Sequence, residues 1–393
     1  MNNILKLVDK DIDQIKSIRH ELHQHPELDF DLHETVDIIC KYLDEFGIKY
    51  KKLVNGSAII AEIAGKDDKK TIALRADMDA LPIVEASNCP FPSKNNGKMH
   101  ACGHDVHTTI LLGIAKILSQ SKDQLPCNVR FLFQPAEETT GGAVPMIKEG
   151  ALDGVSYIYG LHVYPSIDCG QISIEYGPMY ASAVDVDIDI KGKSSHGAYP
   201  SKGIDAIVVA AYVVTALQTI VSRNTDARDS LVLTFGTING GTKENIIANE
   251  VRLSGTMRAL SEDVKVISKD KITALVKNIC EGYGAKGEVT YRDSYISLIN
   301  HDECVDIIRE NGEGLLGKEN VIEEKMPNMG VEDFAYYVAK IPGAFYHLGV
   351  RNEAKGATEA LHSDRFNVDE DAIAIGVKIG IMNIFKTYEK LMR

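Results

Sequence analysis

Residues 184–190 have the sequence Val-Asp-Val-Asp-Ile-Asp-Ile, in which apolar and acidic side chains alternate strictly. Because successive side chains of a β-strand point to opposite faces, this alternation predicts a strand with one buried and one solvated face. The sequence that follows predicts a helix, two strands, a helix and a strand, at about residues 203–221, 231–238, 248–258, 261–283 and 289–295. Together with the first strand, this order resembles a ferredoxin-like sandwich.

The sequence before Tyr180 has a different pattern, in which predicted strands alternate with amphipathic helices. The helices lie near residues 10–25, 33–46 and 107–119, and the strands near residues 57–63, 71–76, 128–134 and 156–163. Such alternation favours an α/β sheet covered by helices, and mixed helices and short strands return from about residue 296. We therefore predict a two-domain α/β protein. A mixed-sheet domain of residues 1–182 and 295–393 is split by an inserted ferredoxin-like α+β domain of residues 183–294.

The composition is that of a soluble globular protein, with 44% hydrophobic residues in a chain of 393 residues. The formal net charge of −13 argues against nucleic-acid binding, because that activity normally needs a basic surface. We expect no signal peptide, since the first residues lack a long apolar core. The most apolar window, about residues 206–217, is shorter than the roughly 20 residues that a membrane span needs. We therefore expect a cytoplasmic protein without nucleic-acid or membrane partners.

The seven cysteines are scattered and do not form the close spacing of a disulfide framework: Cys40, Cys89, Cys102, Cys127, Cys169, Cys280 and Cys304. One of them, Cys102, lies in the segment Met99-His-Ala-Cys-Gly-His-Asp-Val-His107, together with three histidines and an aspartate. Thiolate and imidazole ligands together suit zinc and similar transition metals. The segment therefore favours a metal site over a polar loop with incidental histidines.

A second cluster is Phe131-Leu-Phe-Gln-Pro-Ala-Glu-Glu138, in which an apolar strand ends in two adjacent carboxylates. Adjacent acids repel each other, so a buried pair needs a cation or a proton nearby. In a hydrolase, one glutamate can bind a metal ion while the other removes a proton from water. A solvated acidic loop is the alternative interpretation of this segment taken alone.

Two isolated histidines lie in similar positions. His162 ends the apolar segment Gly160-Leu-His-Val-Tyr-Pro165, and His362 precedes the last predicted helix within Ala360-Leu-His-Ser-Asp364. A single histidine at a strand end is more often structural than a metal ligand. Both nevertheless lie in the predicted α/β domain, and His162 lies at a strand end, where the sites of such sheets form.

The segment Leu74-Arg-Ala-Asp-Met-Asp-Ala-Leu-Pro82 adds two carboxylates. Strand alternation places Arg75, Asp77 and Asp79 on one side, where a carboxylate can orient a metal-bound imidazole. All of these segments together predict five metal ligands: Cys102, His104, Glu138, His162 and His362. Five ligands are too many for one tetrahedral zinc with an open water position, so they fit two metal ions that share a bridging group.

Several long motifs, in the same order along almost the whole chain, resemble a metallopeptidase family that includes aminoacylases, hippurate hydrolases and the auxin-conjugate hydrolases of plants. N-acetyldiaminopimelate deacetylase belongs to the same branch. Three of the motifs are quoted above, at residues 75–82, 99–105 and 133–138. The others are Arg19-His-Glu-Leu-His-Gln-His-Pro-Glu27, Ser194-Ser-His-Gly-Ala-Tyr-Pro200, Gly236-Thr-Ile-Asn-Gly-Gly241, Gly255-Thr-Met-Arg258 and Gly330-Val-Glu-Asp-Phe334.

The resemblance implies a metal-dependent amidohydrolase that hydrolyses the amide bond of a small N-acyl amino acid. It assigns the five ligands to two divalent ions (Zn, Mn, Co or Ni), with Cys102 as the bridge and Glu137 as the general base. The mixed-sheet domain becomes the catalytic domain, and residues 183–294 become a lid that also forms a homodimer. The lid then supplies three substrate-binding residues: His196, Asn245 and Arg258.

Some alternatives stay open at this point. The wider family often has histidine where Asp77 stands, so either Asp77 or Asp79 orients the metal-bound imidazole. The same motifs also fit a dipeptidase, a carboxypeptidase or a dedicated N-acetyldiaminopimelate deacetylase, because specificity depends on the pocket. A non-catalytic binding protein on this fold would lack a ligand or the base, and neither is missing. The motifs do not specify the acyl group, the amino-acid side chain or the metal.

Overall fold

The computed structural model describes residues 1–392, which form nine α-helices and fourteen β-strands. The helices are α1 (Asn2–Gln24), α2 (His33–Glu45), α3 (His104–Ser119), α4 (Ala143–Lys148), α5 (Ala206–Thr219), α6 (Glu262–Gly282), α7 (Asp302–Leu316), α8 (Ala335–Val338) and α9 (Asp371–Leu391). The strands are β1 (Lys49–Leu53), β2 (Ala58–Ile63), β3 (Asp67–Asp77), β4 (Cys127–Gln134), β5 (Val155–Asp168), β6 (Ile172–Ile174), β7 (Gly177–Tyr180), β8 (Ser182–Lys191), β9 (Leu231–Gly240), β10 (Glu250–Ala259), β11 (Lys286–Asp293), β12 (Leu298–Asn300), β13 (Val321–Glu323) and β14 (Gly343–Arg351).

The chain divides into two units, which confirms the predicted α/β class with a second α+β domain. The first unit comprises Met1–Gly177, Ile299–Met326 and the residues from Asp333 onward. The second comprises Pro178–Leu298 and the short segment Pro327–Glu332. The predicted insertion of residues 183–294 lies inside the longer part of this second unit.

The first unit is built on one mixed sheet with the strand order β1-β2-β4-β3-β5-β14-β6-β13. Strand β3 pairs in parallel with both β4 and β5, so Leu74 lies opposite Phe131 on one side and Tyr159 on the other. Residues 71–77 of β3 are all buried, as expected for a strand that is covered on both faces. Since β3 and β4 are parallel, their carboxyl ends at Asp77 and Gln134 lie at the same edge of the sheet.

Helix α3 is the central helix of the first unit, because every residue from His104 to Leu118 is buried. It packs against α1, α9 and strand β3. Helix α1 presents an apolar stripe to this core, with Ile4, Val8, Ile15, Ile18 and Leu22 buried at spacings of three, four or seven residues. Full burial of each such side chain contributes roughly 1.5–3 kcal/mol to stability.

The start of α3 depends on a glycine. The helix begins at His104, three residues earlier than predicted, and Gly103 before it has a left-handed backbone with φ of 84°. A Cβ atom at this position would also lie 2.4 Å from Cγ2 of Val163. Only glycine meets both constraints without strain, and the turn that it allows aims His104 and Cys102 towards the edge of the sheet.

The second unit contains an antiparallel sheet with the strand order β11-β8-β10-β9, with helices α5 and α6 packed on it. This confirms the predicted ferredoxin-like order of elements. In β8 the apolar residues Val184, Val186, Ile188 and Ile190 are buried, as the alternation predicted. The opposite face is less solvated than expected, because Asp187 is buried where Arg252 and Arg292 donate hydrogen bonds to its carboxylate.

The apolar helix of the second unit is longer than expected. Helix α5 continues through a π-helical turn at Ile220–Asn224. The helical segment Ala206–Asn224 therefore has 19 residues, with a mean hydropathy of 1.6. The prediction that this segment is too short for a membrane span is therefore wrong, since its length and composition meet that requirement. One such helix is weak evidence for a membrane protein, because the buried core helices of soluble proteins pass the same test. Here Val209, Val213 and Leu217 do pack into the core of the second unit.

Candidate metal centre

The carboxyl end of β3 holds a buried network of charges. Asp77 receives hydrogen bonds from Nη1 of Arg75 (2.6 Å) and Nδ1 of His107 (2.6 Å). Nη2 of Arg75 binds Asp333 at 2.6 Å, so the guanidinium joins two carboxylates. Burial opposes ionisation of Asp77, but His104, Arg75 and His107 hold the pKa of this carboxyl well below its ordinary value. Asp77 is therefore an anion inside the protein.

Asp79 lies two residues beyond Asp77, past the end of β3, where it holds the loop that carries the two glutamates. One of its oxygens accepts the backbone N–H of Glu137 and the other that of Glu138, both at 3.0 Å. Oδ1 of Asp79 also lies 3.4 Å from Nδ1 of His104, whereas the nearest oxygen of Asp77 is 3.8 Å from that nitrogen. Asp79 thus has the more direct contacts with the predicted site residues.

Cys102 and His162 meet across the loop before α3. Sγ of Cys102 lies 3.3 Å from Nε2 of His162, and Nδ1 of His162 donates a hydrogen bond to the carbonyl oxygen of Val163 at 2.7 Å. This bond places the proton on Nδ1 and leaves the Nε2 lone pair directed to the thiol. Burial and the neighbouring His107 hold the pKa of His162 well below its ordinary value, so the ring is neutral.

Glu138 lies between two imidazoles. Its Oε1 atom is 3.9 Å from Nε2 of His104 and 3.3 Å from Nε2 of His362. Sets of ligand atoms within 4.8 Å of one another are formed by Cys102, His104 and His162, by Cys102, Glu138 and His362, and by His104, Glu137 and Glu138. The structure therefore brings all five predicted ligands together, and Cys102 belongs to two of the sets.

Two residues of this site have strained backbones. Ala136, which precedes Glu137, has φ of 57°, and His362 has φ of 65°. Such left-handed conformations are rare for residues other than glycine, cost of order 1–3 kcal/mol each and cluster at functional sites. The N–H of His362 donates to the carbonyl oxygen of Ala101 at 2.8 Å, which fixes this histidine beside the Cys102 loop.

The atoms of this site fit a divalent metal. Within residues 1–392, neither ring nitrogen of buried His104 has a hydrogen-bond partner, and Oε1 of Glu138 has none of suitable geometry. Buried polar atoms are rarely left in this state unless an ion or water completes them. Thiol, imidazole and carboxylate are also the ligand types that zinc and similar transition metals take in proteins. The residues present therefore fit the two metal ions that the resemblance implies.

The electrostatics of the site favour the binding of a positive ion. Burial, with the carboxylates of Glu138 and Glu137, raises the pKa of the Cys102 thiol well above its ordinary value. Burial disfavours the charged form of His104, but the carboxylates of Asp77, Asp79 and Glu138 raise its pKa to about 10. In the absence of a metal, protons on these two residues balance the buried anions. A bound dication would replace those protons.

Sequence reasoning missed the roles of two residues. His107 lies in the same motif as His104, yet both of its nitrogens are used, because Nε2 accepts the backbone N–H of Val163 at 2.9 Å. His107 therefore orients Asp77 and β5. Asp333 accepts hydrogen bonds from Gln134 (2.8 Å) and from the N–H of Ala143 (3.0 Å), so it holds both ends of the glutamate loop. Its place in the motif Gly330-Val-Glu-Asp-Phe334 was the one available signal.

The three predicted substrate-binding residues lie in the second unit. His196 and Asn245 are exposed neighbours, since Gly197 donates a backbone hydrogen bond to Asn245 at 2.8 Å. Nδ1 of His196 accepts the N–H of Ala198 at 3.1 Å, so in the neutral ring Nε2 carries the proton. Arg258 lies on β10, half-buried, and its guanidinium has no partner among the described residues.

Comparison with known proteins identifies the family. The model of peptidase family M20/M25/M40 matches residues 73–381. The chain belongs to this family. Thermostable carboxypeptidase 2 of Saccharolobus solfataricus is 38% identical over 93% of both chains. The N-acetyldiaminopimelate deacetylase of Bacillus subtilis is 38% identical over 95% of this chain and 99% of its own.

A solved structure agrees with this result. The Bacillus subtilis YXEP protein, described as a dinuclear metal binding peptidase of the M20 family, has a TM-score of 0.85 at 34% identity. The alignment covers 96% of this chain and 98% of that one. Together these matches confirm the predicted family and show that this protein is an amide-bond hydrolase of the M20 group.

Proposed function

We propose that this hydrolase removes the acyl group from N-acyl amino acids, with two divalent metal ions held by Cys102, His104, Glu138, His162 and His362. The observation that supports the proposal most directly is the convergence of these ligand atoms around unpartnered nitrogens of His104. When bound, the ions would acidify a water molecule and polarise the amide carbonyl. Cys102, which belongs to two of the ligand sets, is the residue we assign as the bridge.

Glu137 acts as the general base in this proposal. The residue is 8% exposed, its carboxylate belongs to a ligand set with His104 and Glu138, and its backbone N–H is held by Asp79. Glu138 is already engaged as a ligand, so Glu137 takes the proton from the attacking water. It then gives that proton to the leaving nitrogen, which departs as a free amine. The products are a carboxylic acid and an amino acid.

The substrate carboxylate would be bound by Arg258. An N-acyl amino acid ends in a free carboxylate, and a guanidinium holds such a group through two parallel hydrogen bonds. The lack of an acidic partner for Arg258 in the described chain supports this role. We also assign His196 and Asn245 to the substrate, with the proton on Nε2 of His196 available to the carbonyl oxygen as negative charge develops.

A carboxypeptidase activity is the second candidate, because one relative of 38% identity has that name. The metal-reconstituted enzyme should therefore be assayed with N-acetyl, N-benzoyl and indoleacetyl amino acids, N-acetyldiaminopimelate and unblocked dipeptides. We expect release of free amino acid from the acylated substrates. Hydrolysis of the dipeptides alone would overturn the acyl-amino-acid proposal in favour of a peptidase.

Glu137→Gln is the matched control for that screen. Glutamine keeps the size of the side chain but cannot accept the proton, so kcat should fall by roughly 10²–10⁴-fold with both metals retained. A metal-replete Glu137→Gln enzyme with near-normal kcat would show that another group is the base.

We further propose that the protein is a cytoplasmic homodimer formed through the second unit. Strand β9 pairs only with β10 among the described strands, so its outer edge is available to a second copy. Exposed apolar side chains lie on this strand and on α5, among them Ile238 (57% exposed) and Tyr212 (54%). All seven cysteines are free, as is usual in a reducing compartment.

The dimer proposal is tested by light scattering. Ile238→Lys and Tyr212→Glu should shift the molar mass to that of a monomer. Val266→Lys on α6, an equally exposed apolar residue at 51%, should leave the mass unchanged. A wild-type protein of monomer mass would contradict the proposal, and binding to lipid vesicles by the wild type would point to a membrane partner for α5.

A further inference from the structure

The segment between Leu81 and Met99 is a long connection without helix or strand. Irregular loops longer than about 12–15 residues are uncommon in compact domains, because nothing in their own backbone orders them. This loop, residues 82–98, is nevertheless fixed in place by Glu85, whose side chain is only 5% exposed. Its carboxylate accepts the N–H of Ser93 at 2.7 Å and the hydroxyl of Ser87.

Glu85 also contacts a buried histidine of α1. Nε2 of His23 lies 3.2 Å from Oε1 of Glu85, and Nδ1 of His23 lies 2.9 Å from Oδ2 of Asp105. Asp105 is held in turn by Nε of Arg19 at 3.0 Å. An imidazole with one nitrogen on a carboxylate and the other directed to a second ligand group is the usual arrangement of a metal-binding histidine.

A cysteine completes the cluster. Cys89 is 7% exposed, and one ligand atom each from Cys89, His23 and Glu85 lie within 4.8 Å of one another. Thiolate, imidazole and carboxylate from three separate positions are a suitable ligand set for zinc. This set shares no residue with the ligands of the candidate metal centre described above.

We propose that His23, Glu85 and Cys89 bind a zinc-like divalent ion, which is separate from the two catalytic ions and fixes the loop of residues 82–98 to α1. Binding would displace one proton from Nε2 of His23 and one from the Cys89 thiol, so a dication replaces two protons. The net charge of the buried cluster then stays the same, and Arg19 and Asp105 keep their ion pair. No oxidation or reduction is involved.

The test is the metal content of the full-length protein after equilibration with zinc and removal of the excess. We expect wild type to bind one more equivalent per chain than Cys89→Ala. Cys40→Ala is the matched control, because Cys40 is also 7% exposed but lies on α2, and it should match wild type. Equal zinc content in wild type and Cys89→Ala would overturn the proposal.

Three further experiments control for misfolding and for the contribution of the catalytic ions. Glu85→Gln keeps the shape of the side chain and should also lose one equivalent, so a variant that retains full zinc content counts against the site. Trypsin should cut at Lys94 or Lys98 faster in zinc-loaded Cys89→Ala than in zinc-loaded wild type, whereas equal rates would show that no ion fixes the loop. The difference caused by Cys89→Ala should persist in a Cys102→Ala background, where failure of the catalytic centre cannot affect it.

Discussion

Replacement of Asp79 by asparagine should distinguish the role of Asp79 from that of Asp77, the last residue of β3. Asp79 is 1% exposed and accepts two backbone N–H groups, those of Glu137 and Glu138, one on each carboxylate oxygen. Asparagine offers one oxygen and one NH₂ group in the same space. One of the two backbone N–H groups would therefore face another donor.

The expected cost follows from these two bonds. A buried N–H without a partner costs roughly 1–3 kcal/mol. The second N–H keeps an acceptor, but that acceptor is neutral in asparagine and charged in aspartate, which weakens the hydrogen bond by about 1 kcal/mol more. The free energy of unfolding should therefore fall by about 2–4 kcal/mol. Because the same bonds place Glu137, and because Asp79 lies 3.4 Å from Nδ1 of His104, we also expect kcat to fall by roughly 10–100-fold, the usual effect of losing a residue that supports a metal site.

Denaturant unfolding and kcat at saturating metal would measure both effects, with Asp77→Asn as the control. Asp77 binds the side chains of Arg75 and His107 and makes no hydrogen bond to the glutamate loop in the described structure. Asp77→Asn should destabilise the protein because it weakens a buried ion pair, with a smaller effect on kcat. Wild-type stability and kcat in Asp79→Asn would refute this reasoning.

Three further predictions concern the metals and the substrate. Cys102→Ala should lower the metal content measured by elemental analysis, and unchanged stoichiometry would remove Cys102 from the ligands. Metal affinity should fall as pH falls, because the pKa of about 10 of metal-free His104 means that an ion must displace its proton at neutral pH. Each proton that metal binding releases changes the apparent Kd by about tenfold per pH unit. Competition with a coloured chelator at pH 6, 7 and 8 would measure this change. Arg258→Lys should weaken the binding of free-acid substrates more than that of their amides, and equal losses in KM would contradict the carboxylate role.

The meeting of Asp77 and Asp79 with the loop of Glu137 and Glu138 was predictable, because parallel strands impose it. His162 lies within β5 and not at its end, the position that the sequence had indicated. Strands β3 and β4 end at the same edge of the sheet, and β5 pairs beside β3. Polar residues at those ends must therefore lie close together, however far apart they are in the sequence. The residue types then limit the chemistry, since two buried carboxylates beside a thiol need a cation or a proton nearby.

The division of work between similar residues could not be predicted in this way. His104 and His107 lie in one motif and are three residues apart, so both occupy the same side of α3. Only the position of Val163, whose N–H binds Nε2 of His107, shows that His107 has no free nitrogen for a metal. Asp333 likewise depends on a contact with Arg75 across 258 positions of sequence. Such roles follow from tertiary packing and leave no local pattern.

The specificity of the enzyme is harder to predict for an energetic reason. A metal centre tolerates few residue types, because loss of one ligand removes most of the activity. The choice between two acyl or side-chain groups depends on contacts worth only about 1–3 kcal/mol for each methylene group. His196 and Asn245, which are exposed and which we propose as substrate-binding residues, would make contacts of this size, and many sequences can supply such contacts. Two relatives that are each 38% identical to this chain can therefore have different names, carboxypeptidase and deacetylase, although one type of metal centre would serve both reactions.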